Sequence, residues 1–303
     1  MRDPAPATAE LLARAHAAVP GLEGARHLAT SVKCTLFSAS RGGAPVVVKV
    51  LRRDVPPWRW YFARELALLD AFARSPPPVE APRLVTSDLA AGVAVLTRLD
   101  GEPLSRGRFV SQPLPTSTLA ALLDRVVALS RWRDGCALVT DPPPPEVAAA
   151  VRERLLEDPT APARWCADTL ARAASAGAVP EGLAAWATSE LPAAVDFAHG
   201  DLLPRNVLAR GGDVALVDWE CAGAFTRGWD LAQLWAALPA AQRGSVMEVA
   251  GALGLSSRAF AAVSLVALAR ERFYRARFAV PGDARQAALD EALACIEGVA
   301  RGA

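Results

Sequence analysis

Two short stretches of this 303-residue chain carry residues that could do chemistry. They are His199-Gly200-Asp201-Leu202-Leu203-Pro204-Arg205-Asn206-Val207-Leu208 and Val217-Asp218-Trp219-Glu220. Asp201 and Asn206 bracket a loop with Pro204 inside it, just before a β-rich run, Asn206–Ala209. A Gly211-Gly212 turn then leads into a second run, Val214–Val217, which Asp218 ends. A tight hairpin over that turn sets Asn206 beside Asp218. Two oxygen-bearing side chains so placed suit Mg²⁺, which takes a few protein oxygens and otherwise phosphate and water. Asp201, one loop away, can accept a proton from an incoming hydroxyl.

Phosphoryl transfer from a nucleotide needs those parts and a cation on the phosphates. Lys49 can supply it. It sits in Val46-Val47-Val48-Lys49-Val50, a run that reads as a buried strand, where a lysine is costly without a partner. Glu65, on the helix expected next, is the candidate partner. Composition makes this lysine informative: of 33 basic residues only Lys33 and Lys49 are lysines, and the other 31 are arginines. Lys33 either covers the phosphates or is an exposed strand residue. Arg205 either adds charge near the terminal phosphate or faces solvent.

The elements that must position these residues fall into two parts. In the first hundred residues, Thr8 caps a helix through Val19. The runs Val32–Ser40 and Ala44–Leu51 flank Arg41-Gly42-Gly43, a hairpin signal. Trp58–Ala73 has helical period, with Phe62, Leu66, Leu69 and Phe72 on one face. Two more strands are expected at Arg83–Ser87 and Val93–Leu99. Beyond Thr116 helices dominate, over 116–132, 146–157, 162–175, 182–191, 228–238, 242–253, 256–279 and 283–299. The expected fold is α+β: a small antiparallel β lobe (1–99) carrying one main helix, and a larger, mostly helical lobe (100–303). A ligand site is expected between them, near Asp100.

HGDLLPRN, then VDWE, then Gly228-Trp229-Asp230-Leu231-Ala232 resembles the aminoglycoside phosphotransferase and choline kinase family, small-molecule kinases with a protein-kinase-like fold. Leu99-Asp100-Gly101-Glu102-Pro103-Leu104 looks like the segment joining that family's lobes. The resemblance runs from about Val32 to about Arg277. It implies that Asp201 is the catalytic base or hydroxyl-orienting residue and that Asn206 and Asp218 bind Mg²⁺. Lys49 would bind nucleotide phosphate, positioned by Glu65, and backbone groups from Thr97 to Leu99 would hydrogen-bond adenine. His199 and Asp230 would brace the catalytic loop. There are two departures from a protein kinase. No G-x-G-x-x-G precedes the lysine strand, where Thr30-Ser31-Val32-Lys33 stands instead. Only 12 positions separate Asp218 from Asp230, too few for a long activation loop.

The implied activity is ATP-dependent phosphorylation of a small-molecule hydroxyl, first of an antibiotic, an aminoglycoside or another natural product. The alternatives are a metabolic kinase for choline, a sugar or a hydroxy-amino acid, and a catalytically inactive nucleotide-binding scaffold. A cationic acceptor would need acids, for which Glu220, Asp230, Glu271 and Asp196 are candidates. Composition bounds these readings. Hydrophobic residues make up 52% and charged residues 21%, a globular balance, and the net charge is +1, so no nucleic-acid partner is expected. The longest apolar stretch, Ala259–Ala269, is too short to span a bilayer, so no membrane partner is expected. Five cysteines without a CxxC read as reduced thiols, each a small buried hydrophobe, in a cytoplasmic protein. Trp219, Trp229 and Trp235 read as core anchors.

Overall fold

The computed structural model describes residues 7–138, 141–154, 156–277 and 284–302. Helix α1 (Thr8–Ala18) leads into strands β1 (Leu22–Thr30), β2 (Cys34–Arg41) and β3 (Ala44–Leu51). Helix α2 (Pro56–Phe72) precedes β4 (Leu84–Asp88) and β5 (Val93–Thr97). The five strands make one antiparallel sheet in the order β1-β2-β3-β5-β4. Gly42 and Gly43, both at positive φ, close the β2–β3 hairpin, a backbone that glycine adopts without Cβ strain.

Side-chain alternation on β3 decides where the lysine goes. Val46, Val48 and Val50 pack with Phe37, Val93 and Val95 beneath Leu11 and Ala15 of α1. Lys49 and Leu51 therefore project to the other face, toward α2. There Leu51, Ala94 and Leu96 join Phe62, Leu69 and Phe72 of α2 in a second cluster.

That second cluster does not stop at the sheet. It continues into the rest of the chain, which comprises β6 (Glu102–Pro103), α3 (Thr116–Arg131), α4 (Pro145–Arg154), α5 (Pro162–Ser175), α6 (Glu181–Glu190), β7 (Val195–Ala198), β8 (Val207–Arg210), β9 (Asp213–Leu216), β10 (Gly223–Thr226), α7 (Trp229–Ala237), α8 (Ala240–Ala252), α9 (Ser257–Arg277) and α10 (Ala284–Arg301). Two small sheets, β6-β8-β9 and β7-β10, stand among these helices. Phe72 is the bridging side chain. Its ring meets Trp219 edge-on at 5.0 Å and lies 5.9 Å from Trp132, which in turn meets Phe197 at 5.0 Å. Helix α9 runs through the core: Val263, Leu265, Val266 and Leu268 are fully buried. Among the described residues no helix is long and apolar enough to cross a membrane.

The expected α+β architecture is present. The differences are local. Ala7, not Thr8, is the N-cap of α1, and the Glu10 carboxylate accepts the Ala7 N–H at 3.1 Å. The strand expected from Val32 starts at Cys34, because Ser31 turns the chain: its Oγ accepts the N–H groups of Lys33 and Cys34. The strand expected to reach Leu99 ends at Thr97. There the Thr97 N–H turns to the Arg83 carbonyl and the Arg98 N–H to that of Pro45. Four strands escaped the sequence, among them the two-residue β6. β1 is an edge strand that is almost wholly exposed and shows no apolar alternation, while β7 and β10 are four residues each and pair across a long separation. All five cysteines are free thiols, but only Cys34, Cys166 and Cys221 are buried as expected; Cys136 is half-buried and Cys295 exposed. The expected helix positions 155, 278–279 and 283 lie outside the described residues.

Truncating Phe72 removes the ring that joins α2 to Trp219 and Trp132. Phe72→Ala is expected to lower the unfolding free energy by about 3–5 kcal/mol, and Phe72→Leu to restore most of it, measured by urea denaturation followed through tryptophan fluorescence.

Candidate active site

Lys49 sits at the centre of a buried charge cluster. Its Nζ donates to Glu65 Oε2 at 2.6 Å and to Asp218 Oδ1 at 2.5 Å, and lies 3.6 Å from Glu220 Oε2. Lys33 ion-pairs with the other oxygen of Glu220 and lies 5.9 Å from the Trp58 ring centroid. Both lysines of the chain therefore converge on one group of three carboxylates. Burial by itself would lower the Lys49 pKa, but the charges of Asp218 and Glu65 outweigh it and hold the ammonium well above its ordinary value. Burial would raise Asp218, and Lys49 and Lys33 overcome it, keeping the carboxylate well below its ordinary range.

The backbone at Asp218 makes this arrangement possible. Val217 donates its N–H to the Asn206 carbonyl at 3.0 Å, one step beyond the β8–β9 pair Val207–Leu216, so the hairpin carries Asn206 and Asp218 to one end. Asp218 then takes left-handed angles, φ 68° and ψ 59°. It is the single non-glycine residue at positive φ among the described residues. The reversal turns the Trp219 N–H onto Glu65 Oε1 at 3.2 Å. Glu65 thus holds Lys49 with one oxygen and the backbone beyond Asp218 with the other.

The loop bearing Asp201 is strapped to the start of α7. Asp230 accepts the His199 N–H at 2.7 Å through Oδ2 and the Gly200 N–H at 3.0 Å through Oδ1. Gln233 accepts the Leu202 N–H at 2.7 Å and donates to the Gly200 carbonyl at 3.0 Å, a carbonyl that also receives the Trp229 indole N–H. Gly200 is at φ +84°, and a Cβ there would collide with the Cys221 carbonyl. The His199 ring donates from Nε2 to the Val217 carbonyl at 3.0 Å and packs on Trp219, tying the loop to the hairpin.

Asp201 projects from that loop, 5% exposed. Its Oδ2 accepts from Arg205 at 3.2 Å and from the Asn206 amide at 3.3 Å, while Oδ1 has no hydrogen-bond partner and lies 3.9 Å from an Arg270 nitrogen. Burial favours the protonated form, but Arg205, Arg270 and Arg108 together lower its pKa to about 2. The folded value lies below the ordinary one, so this carboxylate contributes stability above about pH 4 that is lost as the pH falls toward 2.

The sequence-derived residues land as follows. Lys49, Glu65 and Asp218 meet directly, and Asn206 shares the Asp201 loop, donating to the Asp201 carbonyl at 2.8 Å. His199 and Asp230 brace that loop. Lys33 lies in the β1–β2 turn, not on a strand, and is engaged by Glu220. Thr97 lies at the end of β5 and Leu99 just past it, and among the described residues Leu99 makes no backbone hydrogen bond. Asp100 is exposed, 3.6 Å from Arg210. The four acids considered for a cationic acceptor are all occupied: Glu220 by the lysines, Asp230 by the loop, Asp196 by Arg227 and Glu271 by Arg108. Gln233 and the buried Arg270–Glu157 pair were not legible as site residues. The i, i+3 spacing of Asp230 and Gln233 on one helix face was the available signal for the first.

The donor set fits a hard divalent cation. Glu65, Asp218 and Glu220 bring oxygens within 4.8 Å of one another, and with Glu65 and Glu220 held by the lysines and the Trp219 N–H, Asp218 is the most open of the three. Asn206 uses its amide nitrogen inward, which leaves its amide oxygen as an acceptor. Oxygen donors without sulfur or imidazole suit Mg²⁺.

A model of the phosphotransferase enzyme family matches residues 37–266, most of the chain, and the chain belongs to that family. No curated protein sequence matches it significantly. Solved structures similar to it include the macrolide 2'-phosphotransferase of Brachybacterium faecium (20% identity, 95% of this chain and 98% of that one, TM-score 0.61). A choline/ethanolamine kinase family protein of Mesorhizobium loti is also similar (21% identity, 95% and 93%, TM-score 0.57). So is an ADP-bound aminoglycoside phosphotransferase (13% identity, 95% and 97%, TM-score 0.55). At these identities the likeness establishes a shared protein-kinase-like fold.

Removing the Lys49 charge leaves three carboxylates facing Lys33 alone. Lys49→Ala is expected to destabilise the fold by about 3–5 kcal/mol at pH 8. The deficit should shrink at pH 5, where one carboxylate takes up a proton and the repulsion falls. Calorimetric melting at both pH values checks this, and a pH-independent deficit would contradict it.

Proposed function

We propose that this member of the phosphotransferase enzyme family is an ATP-dependent kinase that transfers the γ-phosphate to a hydroxyl of a small molecule, an antibiotic or another natural product. One observation carries the reading: Lys49 is bonded to both Glu65 and Asp218, while the buried, ionised Asp201 stands on the adjoining loop with one oxygen unpartnered. These are the phosphate cation, the metal ligand and the acceptor-orienting carboxylate of phosphoryl transfer. The ADP-bound relative supports a nucleotide as donor.

Residues 1–99 would hold the nucleotide and residues 100–303 the acceptor. The adenine would meet backbone groups from Thr97 to Leu99, where among the described residues the Leu99 N–H and C=O have no backbone partner. Lys49, fixed by Glu65, would bind the phosphates, and Lys33 would cover them once it leaves Glu220. Asn206 and Asp218 would hold Mg²⁺, which when bound neutralises charge on the phosphate oxygens. His199 and Asp230 would keep the loop in place. The five free thiols accord with a reducing, cytoplasmic setting.

The Asp201 carboxylate is ionised at neutral pH, and at a pKa of about 2 it is a weak base. Its part is therefore to accept a hydrogen bond from the acceptor hydroxyl at Oδ1 and aim the oxygen at the γ-phosphorus. As the new O–P bond forms and the β–γ bridge breaks, the hydroxyl proton passes to Asp201 late. Most of the rate then comes from positioning and charge stabilisation.

The likeness to the choline/ethanolamine kinase family protein favours a second reading, a metabolic acceptor such as choline, a sugar or a hydroxy-amino acid. ADP release with Mg·ATP across antibiotics, sugars and amino alcohols distinguishes the two. Asp201→Asn separates an enzyme from a nucleotide-binding scaffold. It is expected to keep ATP affinity nearly unchanged and to lower transfer by about 10²–10⁴-fold, as losing a general base does. Equal transfer rates in the variant and the wild type would remove Asp201 from the reaction.

A further inference from the structure

Resting on that kinase reading, we infer that the acceptor end of the site takes a hydroxylated molecule with at most one ammonium group and excludes polycations. Asp201 Oδ1 lies 3.9 Å from Arg270 of α9, whose chain neighbour is Glu271. Glu157 and Arg270, both almost fully buried, are ion-paired to each other. Arg108 Nε donates to Glu271 Oε2 at 2.7 Å. Arg205 is held by Asp201 itself. Three arginines thus meet three carboxylates, and the set is electrically closed before any acceptor arrives.

A polycationic acceptor needs several carboxylates facing its ammonium groups. Asp201 Oδ1 is open to one donor, but every carboxylate near it already carries an arginine's charge, so further ammonium groups would be desolvated beside guanidiniums with no surplus negative charge facing them. The ammonium groups would also approach Arg205, the most exposed of the three cations. Two acids farther away are also taken. Asp196 is bonded to Arg227 at 3.0 and 3.2 Å, and Asp230 is buried under the loop N–H groups. A neutral or singly charged acceptor pays no such cost. It can hydrogen-bond the guanidinium edges and the Asp201 oxygen without disturbing the pairs.

The test reads binding as well as turnover. The full chain with Mg·AMP-PNP is titrated with kanamycin and with spermidine at about 150 mM salt in a calorimeter, and ADP release is measured for kanamycin, neutral sugars and hydroxy acids. The expected result is no saturable binding of either polycation below about 1 mM and no kanamycin-dependent ADP release. Arg108→Gln frees Glu271 and is expected to tighten kanamycin binding at least about tenfold, and Arg108→Gln/Glu271→Gln to lose that gain. Saturable wild-type binding or phosphorylation of kanamycin would overturn the inference, whether or not the variants fold. So would an Arg108→Gln variant, folded by circular dichroism, that gains nothing. Failure of the kinase reading shows separately, as absence of Mg·AMP-PNP binding in the first step, and the polycation titrations still report on the charge balance.

Discussion

A lysine in the middle of a buried strand cannot remain charged alone, and much of this structure follows from how Lys49 is satisfied. Strand alternation sends it to the α2 face, where an apolar residue would otherwise complete the core. Glu65 must then stand on the facing turn of α2, so α2 must be seated in both position and rotation. Phe72 and its neighbours provide that seating, by packing against Trp219 and Trp132 from the helical part of the chain. The same Trp219 donates its backbone N–H to Glu65. Apolar packing and ion pairing are therefore not separable here: the ring contact that joins α2 to the hairpin also brings Asp218 to Lys49.

The second constraint is the backbone of the Asp201 loop. A loop with few regular hydrogen bonds is held by side chains of a neighbouring helix, and α7 supplies them from consecutive turns through Trp229, Asp230 and Gln233. Asp230 is fully consumed in this way. Burial pushes its pKa up, and the His199 charge and the two loop N–H groups oppose that rise. The Gly200 conformation, closed to any side chain by the Cys221 carbonyl, lets the loop pass under the helix. Asp201 and Lys49 are thus placed by different elements and meet through the hairpin that both contact.

How far the sequence speaks follows from these dependencies. Lys49, Glu65, Asp201, Asn206 and Asp218 were legible because each is a residue type at odds with its setting: a lysine among valines, acids and an amide around a hairpin turn. The helices were legible from period, and 162–175 matches α5 residue for residue. β1 was not, because an exposed edge strand carries no alternation to read. Glu220 was read as a free acid for an acceptor. Only the fold shows that the β1–β2 turn delivers Lys33 to it. Arg270 and Glu157 were invisible for a related reason. An arginine in a chain with 31 of them carries no signal until a buried partner is seen.

The two halves of the site differ in how their charges are arranged, and the difference bears on what each can bind. Around Lys49, three carboxylates face two lysines, a set with a surplus negative charge that suits an incoming divalent cation. Around Asp201, arginines hold the carboxylate in its ionised form at a pKa of about 2. This ionised, buried carboxylate is bonded through Oδ2 to Arg205 and Asn206 and leaves Oδ1 without a hydrogen-bond partner. On the kinase reading proposed above, what sets one hydroxyl apart from another is then the guanidinium–carboxylate pairs around Asp201, since a single carboxylate oxygen accepts from any hydroxyl.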